Sequence, residues 1–484
     1  MADNSKVSSS RRSYNKLVAN EMMEDFALRF TAMRARKWSY SRIAHTALGI
    51  VSFMVLEAIG GAITLNYGFV NSAWAILALV VVIFISGTPI SFYAARYGVD
   101  IDLLSRGAGF GYIGSTVASL IYASFTFIFF ALEAAIMSMA LELLLGIPLY
   151  IGYAISALIV MPLVTHGITY ISRFQVWTQP VWIVLQLMPL LYVFNHPDSS
   201  LREWTEFTGD AGEMGGGFNI LLFGSASAVL LSLVAQIGEQ VDFLRFLPPK
   251  PTASSPLKWW IAMIMAGPGW IIFGAGKLFL GSFLAYLALK QGVSRELASD
   301  PAHMYQVAFG FLFNNTTLTI VIATVFVIIS QLKINVANAY AGSLAWSNFF
   351  SRITHNHPGR VVWMIFNILI AILLMELGIY QTIESMLQIY SVLVLSWLSS
   401  VSADLLINKP LKLSPPIIEF KRSKLYDINP VGTVSMFVSS VVGFTAHMGA
   451  FGDLGVAFGS YLAFFLPFIV VPAMGWATKG KYYL

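Results

Sequence analysis

The sequence contains no cysteine and little charge. Only 11% of its 484 residues are Asp, Glu, Lys or Arg, whereas soluble globular domains carry about 25%. The missing cysteines exclude disulfides and thiolate metal sites. The chain has instead 57% hydrophobic residues and a mean hydropathy of +0.73. So few charges cannot cover the surface of a soluble protein of this size, and the sequence therefore predicts a polytopic protein embedded in the lipid bilayer.

Long apolar stretches recur along the chain. A transmembrane helix needs about 20 mostly apolar residues, and a strand of a β-barrel would show about 10 residues of alternating polarity. Runs such as 75–83 are apolar throughout, which favours helices. The sequence predicts twelve transmembrane helices, numbered 1 to 12, which lie near 44–68, 73–97, 111–145, 149–170, 175–195, 218–246, 257–289, 303–347, 361–379, 381–407, 430–450 and 454–476.

The basic residues indicate the orientation of these helices. With the N-terminus inside, 24 of the 29 Lys and Arg residues fall on the cytoplasmic side, as the positive-inside rule requires. We therefore expect a multi-pass protein of the cytoplasmic (inner) membrane with both termini in the cytoplasm. The net charge of +5 follows from this topology, and nucleic-acid binding is not indicated.

One lysine, Lys333, lies in the middle of predicted helix 8. Placing such a charge inside a bilayer costs roughly 2.5–3.5 kcal/mol, so we expect Lys333 to have a partner and a task. Acidic residues also interrupt the apolar stretches, with Glu57 in helix 1 and Glu133 in helix 3. Glu133 is interpreted as a substrate acceptor or a proton carrier, and the alternative is a carboxyl group hydrogen-bonded between helices.

Glycines stand beside acidic residues in helices 1 and 6. Gly60 and Gly61 follow Glu57, and Gly238 immediately precedes Glu239. Glycine-interrupted helices at matching places in two halves of a chain point to the binding site of an inverted-repeat transporter. If helices 1–5 and 6–10 are repeats, we expect a gating or structural role for these glycines and for Glu239.

Two further pairs of polar residues are each spaced three positions apart. Asp242 and Arg245 end helix 6 and could form a local pair with a structural or gating role. Asn335 and Asn338 share one face of helix 8, and their amides offer both donors and acceptors. Such a face suits a planar heterocycle, and an interhelical hydrogen bond is the alternative.

Two motifs that suggest bound groups have simpler explanations. Residues 109–114 match G-x-G-x-x-G, but a nucleotide site needs a preceding strand, which this region lacks. His355 and His357 lie in a basic loop without a third metal ligand. We therefore predict no cofactor and no metal site. No nucleophile–base set supports an enzyme either.

Four stretches, taken together, resemble the nucleobase–cation symporter family, the purine–cytosine permease and allantoin–hydantoin permease group. They are the loop 105–115, residues 129–133 of helix 3, the D-F-L-R-F-L-P ending of helix 6, and N-x-x-N-x-Y at 335–340. The resemblance implies an all-α five-plus-five inverted-repeat fold of the leucine-transporter type, with two extra C-terminal helices and a substrate site between helices 1, 3, 6 and 8. The polar stretches and the predicted helices divide the chain into a basic cytoplasmic tail (1–42), a transporter core of helices 1–10 (43–408), a cytoplasmic loop (409–429), and helices 11 and 12 with a short cytoplasmic C-terminus (430–484).

The resemblance also carries over individual residues. The family's helix 3 Trp and Gln correspond to Phe129 and Glu133, and its helix 8 Asn corresponds to Asn338. Sodium-coupled members present hydroxyl groups to the cation where this chain has Lys333 and the leucine before it. The ammonium of Lys333 is therefore expected to replace the sodium ion and to pair with an acid such as Glu57.

The sequence thus predicts a secondary transporter, a permease that moves a nucleobase-like nitrogen heterocycle by alternating access. We expect it to be independent of sodium, with protons as candidate coupling ions carried by Glu133 or by the Lys333 pair. The alternative is a transporter-like membrane sensor, which binds such a ligand without significant turnover and acts on a signalling partner.

Overall fold

The computed structural model describes residues 20–28, 30–196, 199–250 and 255–483, and the regular structure within these ranges is helical. Each predicted stretch contains a helix, and we number these helices as in the prediction. Helix α1 is in two parts, α1a and α1b. The bounds are α1a Tyr40–Ser52, α1b Val55–Tyr67, α2 Phe69–Tyr97, α3 Ser115–Leu145, α4 Leu149–Thr165, α5 Ile168–Val193, α6 Ile220–Leu244, α7 Pro256–Lys290, α8 Thr316–Ile353, α9 Arg360–Glu376, α10 Ile379–Asn408, α11 Pro430–His447 and α12 Gly452–Thr478.

Most of these helices are long enough to cross a bilayer. Within the described ranges, eight are sufficiently long and apolar, or nine if the two parts of α1 count as one span. Helix α4 is a shorter apolar helix, and α9 has only 17 residues. The chain is therefore a helical multi-pass membrane protein, but the predicted count of twelve spans is not confirmed.

Helices α1 and α6 are both interrupted inside the membrane. Helix α1a ends at Ser52 and α1b starts at Val55, with a bend of 47° between them. Helix α6 narrows to a 3-10 helix over Leu231–Gln236 before it resumes as an α-helix. The predicted glycines do not mark these interruptions, because Gly60 and Gly61 lie inside continuous α1b and Gly238 follows the 3-10 segment.

These glycines instead allow helices to approach closely. A methyl group at Gly60 would overlap the backbone carbonyl oxygen of Leu278 on α7, and one at Gly281 of α7 would overlap the backbone of Glu57. A methyl group at Gly238 would overlap the ring of Tyr122 on α3. Helix α1b therefore packs closely against α7, at backbone distances that only glycine permits.

We expect Gly60→Ala to destabilise the protein, because the rigid backbone of α7 would have to move. Overpacking of this kind costs about 1–3 kcal/mol. Thermal unfolding of the purified protein in detergent measures the loss. Gly276→Ala is the matched control on α7, since a methyl group there meets open space. Equal melting temperatures for the two variants would contradict the packing role.

Candidate functional site

A buried lysine of α7 lies at the interruption of α1. The Lys277 Nζ donates to the carbonyl oxygens of Ser52 and Phe53, each at 2.8 Å. It also lies 3.1 Å from Oε2 of Glu57, and both side chains are almost completely buried. Carbonyl groups at the C-terminal end of a helix carry partial negative charge. The ammonium group therefore neutralises the end of α1a and the carboxylate of α1b at once.

A carboxylate lies on the other side of the same interruption. The Glu133 side chain of α3 accepts hydrogen bonds from the backbone N–H groups of Met54, at 3.2 Å, and Val55, at 3.3 Å. The Gln331 side chain of α8 accepts from Met54 N at 3.3 Å and donates to the Glu133 carbonyl at 3.1 Å. Glu133 thus caps the N-terminal end of α1b, where partial positive charge favours an anion.

The pairing predicted between Lys333 and Glu57 is wrong. Glu57 pairs with Lys277, and its Oε1 accepts a hydrogen bond from the Tyr305 hydroxyl at 3.0 Å. The Gln186 amide of α5 in turn donates to the Tyr305 hydroxyl at 2.6 Å. The reason is packing, because the glycine contacts hold α7 beside Glu57.

Lys333 instead faces α5 and has neutral partners. Its Nζ donates to the carbonyl oxygen of Gln175 at 3.1 Å, to Oε1 of Gln175 at 2.8 Å and to the Thr178 hydroxyl at 3.1 Å. The Gln175 amide nitrogen donates back to the Lys333 carbonyl. In the part of the chain that the structure describes, the ammonium group is satisfied by hydrogen bonds without a carboxylate beside it.

The two asparagines of α8 bond to each other within their helix. The Asn338 Nδ2 donates to Asn335 Oδ1 at 3.2 Å. Among the described residues, Asn335 Nδ2 and Asn338 Oδ1 are then left as a buried donor and a buried acceptor without a partner. Phe129 packs against Phe125, with ring centroids 4.6 Å apart. Buried polar groups are normally paired, so these asparagine atoms are free for a ligand or water.

Helix α6 adds further unpaired polar atoms. The Gln236 amide donates to Oε2 of Glu239 at 2.7 Å. The other Glu239 oxygen and both side-chain polar atoms of Gln240 are buried without a hydrogen-bond partner in the described residues. These atoms lie just after the 3-10 segment, so the second interrupted helix also presents polar groups inside the membrane.

Asp242 and Arg245 do not form the predicted local pair. Asp242 accepts a hydrogen bond from the Tyr122 hydroxyl of α3 at 3.0 Å. Arg245 donates to the carbonyl oxygens of Asp25, at 3.1 Å, and Phe26, at 3.3 Å, and to the Tyr340 hydroxyl at 2.8 Å. The two side chains therefore bond to different parts of the protein, and Asp242 Oδ1 and Arg245 Nε are left buried without a hydrogen-bond partner among the described residues.

A cavity of about 650 Å³ opens at the end of α1b. It lies between α1b, α3, the start of α10 and the loop after α7. We call this the open side. The opposite end, where the N-terminal residues lie, is the tail side. The residues that line the cavity are Ala58, Ala62, Asn66, Met139, Arg295, Glu296, Leu297, Ser299, Asp300, Tyr380, Gln381, Thr382, Ile383, Glu384 and Ser385.

No protein-family profile matches the sequence, and no curated protein sequence matches it significantly. Its structure, in contrast, is similar to solved transporters. Mhp1, a nucleobase-cation-symport-1 family transporter in a closed conformation with bromovinylhydantoin bound, has a TM-score of 0.68 and 17% identity, and the alignment covers 94% of this chain and 98% of Mhp1. The fold is of the leucine-transporter type.

Other solved structures agree with this leucine-transporter-type fold. The inward-facing conformation of Mhp1 has a TM-score of 0.63 and 18% identity, over 90% of this chain and 91% of that one. A Na⁺-coupled sialic acid symporter in a substrate-bound outward-open state has a TM-score of 0.56 and 14% identity, over 95% and 93%. These neighbours are transporters and not enzymes. The predicted inverted-repeat fold class is confirmed, apart from the number of spans.

The sequence prediction missed Lys277, Gln175 and Gln331. Lys277 was visible as a second lysine in an apolar stretch, and Gly274 and Gly281 on either side of it signal a closely packed helix. No sequence motif indicated that its ammonium group would reach the carbonyl groups of α1. The two glutamines carry no distinguishing signal in the sequence.

Proposed function

We propose that the protein is a sodium-independent secondary transporter of a small nucleobase-like nitrogen heterocycle, related to the nucleobase–cation symporter family and working by alternating access. The observation that carries the proposal is the ammonium group of Lys277 on the carbonyl oxygens of Ser52 and Phe53. Carbonyl oxygens freed by an interrupted helix are the groups with which transporters of this kind coordinate sodium. Here a side chain of the protein occupies them.

A second lysine strengthens the case against sodium. Lys333 lies on α8, and its partner Gln175 packs against Gly49 of α1a. Sodium-coupled relatives are expected to supply hydroxyl groups at the Lys333 position. While Lys333 carries its proton, its ammonium group would strongly repel a sodium ion in a low-dielectric interior. Both flanks of α1a therefore carry built-in cations.

The free polar atoms of α6 and α8 support a neutral heterocyclic substrate. Asn335 offers a donor, Asn338 an acceptor and Gln240 both, which matches a ring with N–H and C=O groups. Phe129 supplies an aromatic face for stacking. Glu133 has a different role from the predicted one in this proposal, because both of its oxygens hold the backbone of α1b. The hydantoin bound to Mhp1 belongs to the same chemical class.

We assign proton exchange to Lys333 and a permanent ion pair to Lys277. A lysine that is satisfied by neutral acceptors can lose its proton without leaving a carboxylate unpaired. Lys277 cannot, because Glu57 would then be a buried charge without a partner. The positive-inside bias of the sequence supports a cytoplasmic position for the tail side.

Uptake into proteoliposomes tests the proposal. The panel contains purines, pyrimidines, hydantoins and allantoin, each assayed in sodium and in potassium buffer with and without a pH gradient. We expect at least one compound to be taken up equally in both cations. An absolute need for sodium would contradict the proposal. Binding of a compound by thermal shift, with no uptake, would favour the sensor. Neither binding nor uptake of any compound would exclude the substrate class.

A further inference from the structure

The N-terminal residues form a strap across the tail side of the protein. We define the strap as residues 20–28 and 30–38. Its main-chain and side-chain groups bond to five helices or their ends: α2, α5, α6, α8 and α9. The sequence predicts a basic cytoplasmic tail over 1–42, whereas these strap residues bond to the helical core.

The first anchor of the strap is Asp25, which is almost fully buried. Its carboxylate accepts hydrogen bonds from the Tyr340 hydroxyl of α8 at 2.8 Å and from the backbone N–H of Ile168, where α5 begins, at 2.7 Å. Arg245 at the end of α6 donates to the Asp25 carbonyl and also to the Tyr340 hydroxyl. Asp25 therefore ties α6 to α8 and α5.

A second anchor lies one residue earlier in the strap. Arg360, the first residue of α9, donates from its Nε to the Met23 carbonyl at 2.7 Å. The Glu24 carboxylate accepts from the backbone N–H of Arg360 at 3.2 Å and bonds to His357. The two anchors use different strap residues, although the Arg360 guanidinium also lies over the ring of Tyr340 from the first anchor, 5.1 Å from its centroid.

Further contacts hold the rest of the strap. Asn348 of α8 donates to the Ala27 carbonyl at 3.2 Å. Arg36 donates to the carbonyl oxygen of Leu247, beyond α6, at 2.9 Å, and to that of Ala95 on α2. The strap is thus bonded to α8 on one side, and to α2 and the residues that follow α6 on the other.

The backbone of the strap is strained at its first anchor. Asp25 and Phe26 have φ angles of 49° and 60°, in the left-handed region that residues other than glycine rarely adopt. Two consecutive residues of this kind persist only where surrounding contacts hold them, and such strain is concentrated at switch regions. Here the contacts are the ones that Arg245, Tyr340 and Ile168 make with Asp25.

We propose that the strap is a latch that keeps the tail side closed while the 650 Å³ cavity on the open side gives access to the core. The inference rests on the proposed alternating-access function, in which one bundle rocks against the other. Helix α1b packs on α7, whereas α8 packs along α3. A strap bonded to α6 and to α8 has to release before these bundles separate on the tail side.

Two introduced thiols report on the latch, and the cysteine-free chain gives no background. Ser343→Cys lies beneath the strap, because the Arg360 guanidinium that holds Met23 also donates to Ser343. Ser385→Cys lies in the cavity on the open side. The full-length protein is placed in lipid nanodiscs, where both faces are accessible, and reacted with a charged maleimide.

Asp25→Ala is expected to raise the labelling rate at position 343 about tenfold and to lower it at position 385. A factor of ten corresponds to about 1.4 kcal/mol, which is near the lower limit for a single hydrogen bond to a charged group, and Asp25→Ala removes two such bonds. Opposite changes at the two positions signal a shift between two conformations. Glu24→Ala acts on the second anchor and is expected to change both rates in the same directions, so it replaces Asp25→Ala if that variant does not fold.

Lys37→Ala is the matched control, because it removes an exposed charged side chain from the same strap. It is expected to leave both labelling rates unchanged. Unchanged labelling in the anchor variants would overturn the latch, and so would an increase at both positions, which indicates local loosening only. The measurement needs no substrate. Failure of the latch and failure of the uptake experiment can therefore be told apart.

Discussion

Replacing Lys277 by methionine is expected to destabilise the protein by about 3–5 kcal/mol, the range for removing one partner of a buried ion pair. The substitution leaves Glu57 as a buried carboxylate and removes the donor to the carbonyl groups of Ser52 and Phe53. Unfolding of the purified protein in detergent measures the loss. Uptake should fall with it, because the C-terminal end of α1a loses its hydrogen bonds to the Lys277 side chain of α7.

A double-mutant cycle isolates the pair itself. Lys277→Met and Glu57→Leu each leave one buried charge without its partner, whereas the double variant removes both charges. We expect the double variant to be more stable than the sum of the single losses predicts. Lys290→Met is the control on the same helix, because Lys290 forms an exposed ion pair with Glu203 and such pairs contribute little. Strictly additive losses at Lys277 and Glu57 would contradict the coupling.

A second substitution at this position, Lys277→Ala, tests whether the ammonium group takes the place of a cation. In Lys277→Ala, the Glu57 carboxylate and the freed carbonyl oxygens of Ser52 and Phe53 form a set of oxygen ligands without a cation. Sodium is expected to raise the melting temperature of this variant relative to choline, since a ligand that binds only the folded state stabilises it. The unmodified protein should not respond. A sodium response of the unmodified protein would refute the substitution.

The general architecture could be predicted from the sequence because it depends on local properties. Apolar length predicts where helices lie, and the predicted stretches contain helices. The interruption of α1 could not be predicted in the same way. Residues 50–55 contain neither proline nor glycine, and the free N–H groups at Met54 and Val55 are satisfied by Glu133, which is distant in the sequence.

The ion-pair partner of Glu57 could not be predicted from the sequence for a related reason. The sequence offers two intramembrane lysines, Lys277 and Lys333, and either could in principle approach α1. Which one does so depends on how α7 is rotated and how deeply it packs. The backbone contacts at Gly60 and Gly281 determine both the rotation of α7 and its distance from α1b. A single sequence shows the glycines but not the helix that they face.

The contact between the strap and the core was also not predicted from the sequence. The tail over 1–42 is polar and basic as a whole, which predicts a solvated segment. The strap within it also contains apolar residues such as Phe26, Leu28 and Trp38, which that prediction did not weigh. The predicted boundary at residue 42 therefore separates the strap from a core that it contacts through Asp25 and Arg36. The first 19 residues, which include the serine- and arginine-rich run of the predicted tail, lie outside the described residues.

Replacing Lys333 by methionine is expected to abolish the effect of a pH gradient on uptake while leaving the protein folded. The partners of Lys333 are neutral, so the variant leaves no buried charge unpaired. Its cost is about 1–3 kcal/mol for each buried acceptor left without a donor, whereas Lys277→Met leaves the carbonyl oxygens of Ser52 and Phe53 without a donor and also leaves the Glu57 charge unpaired. Lys333→Met should therefore be more stable than Lys277→Met.

The transport measurement follows from the energy stored in a proton gradient. One pH unit is worth about 1.4 kcal/mol per proton, which supports about a tenfold accumulation of substrate if one proton is coupled to each substrate. The unmodified protein in proteoliposomes should approach this ratio. Lys333→Met should equilibrate substrate without accumulating it, and exchange of labelled for unlabelled substrate should continue. Accumulation that survives in Lys333→Met would move the proton carrier to another group, and Glu133, held by the N–H groups of α1b, would be the next to replace.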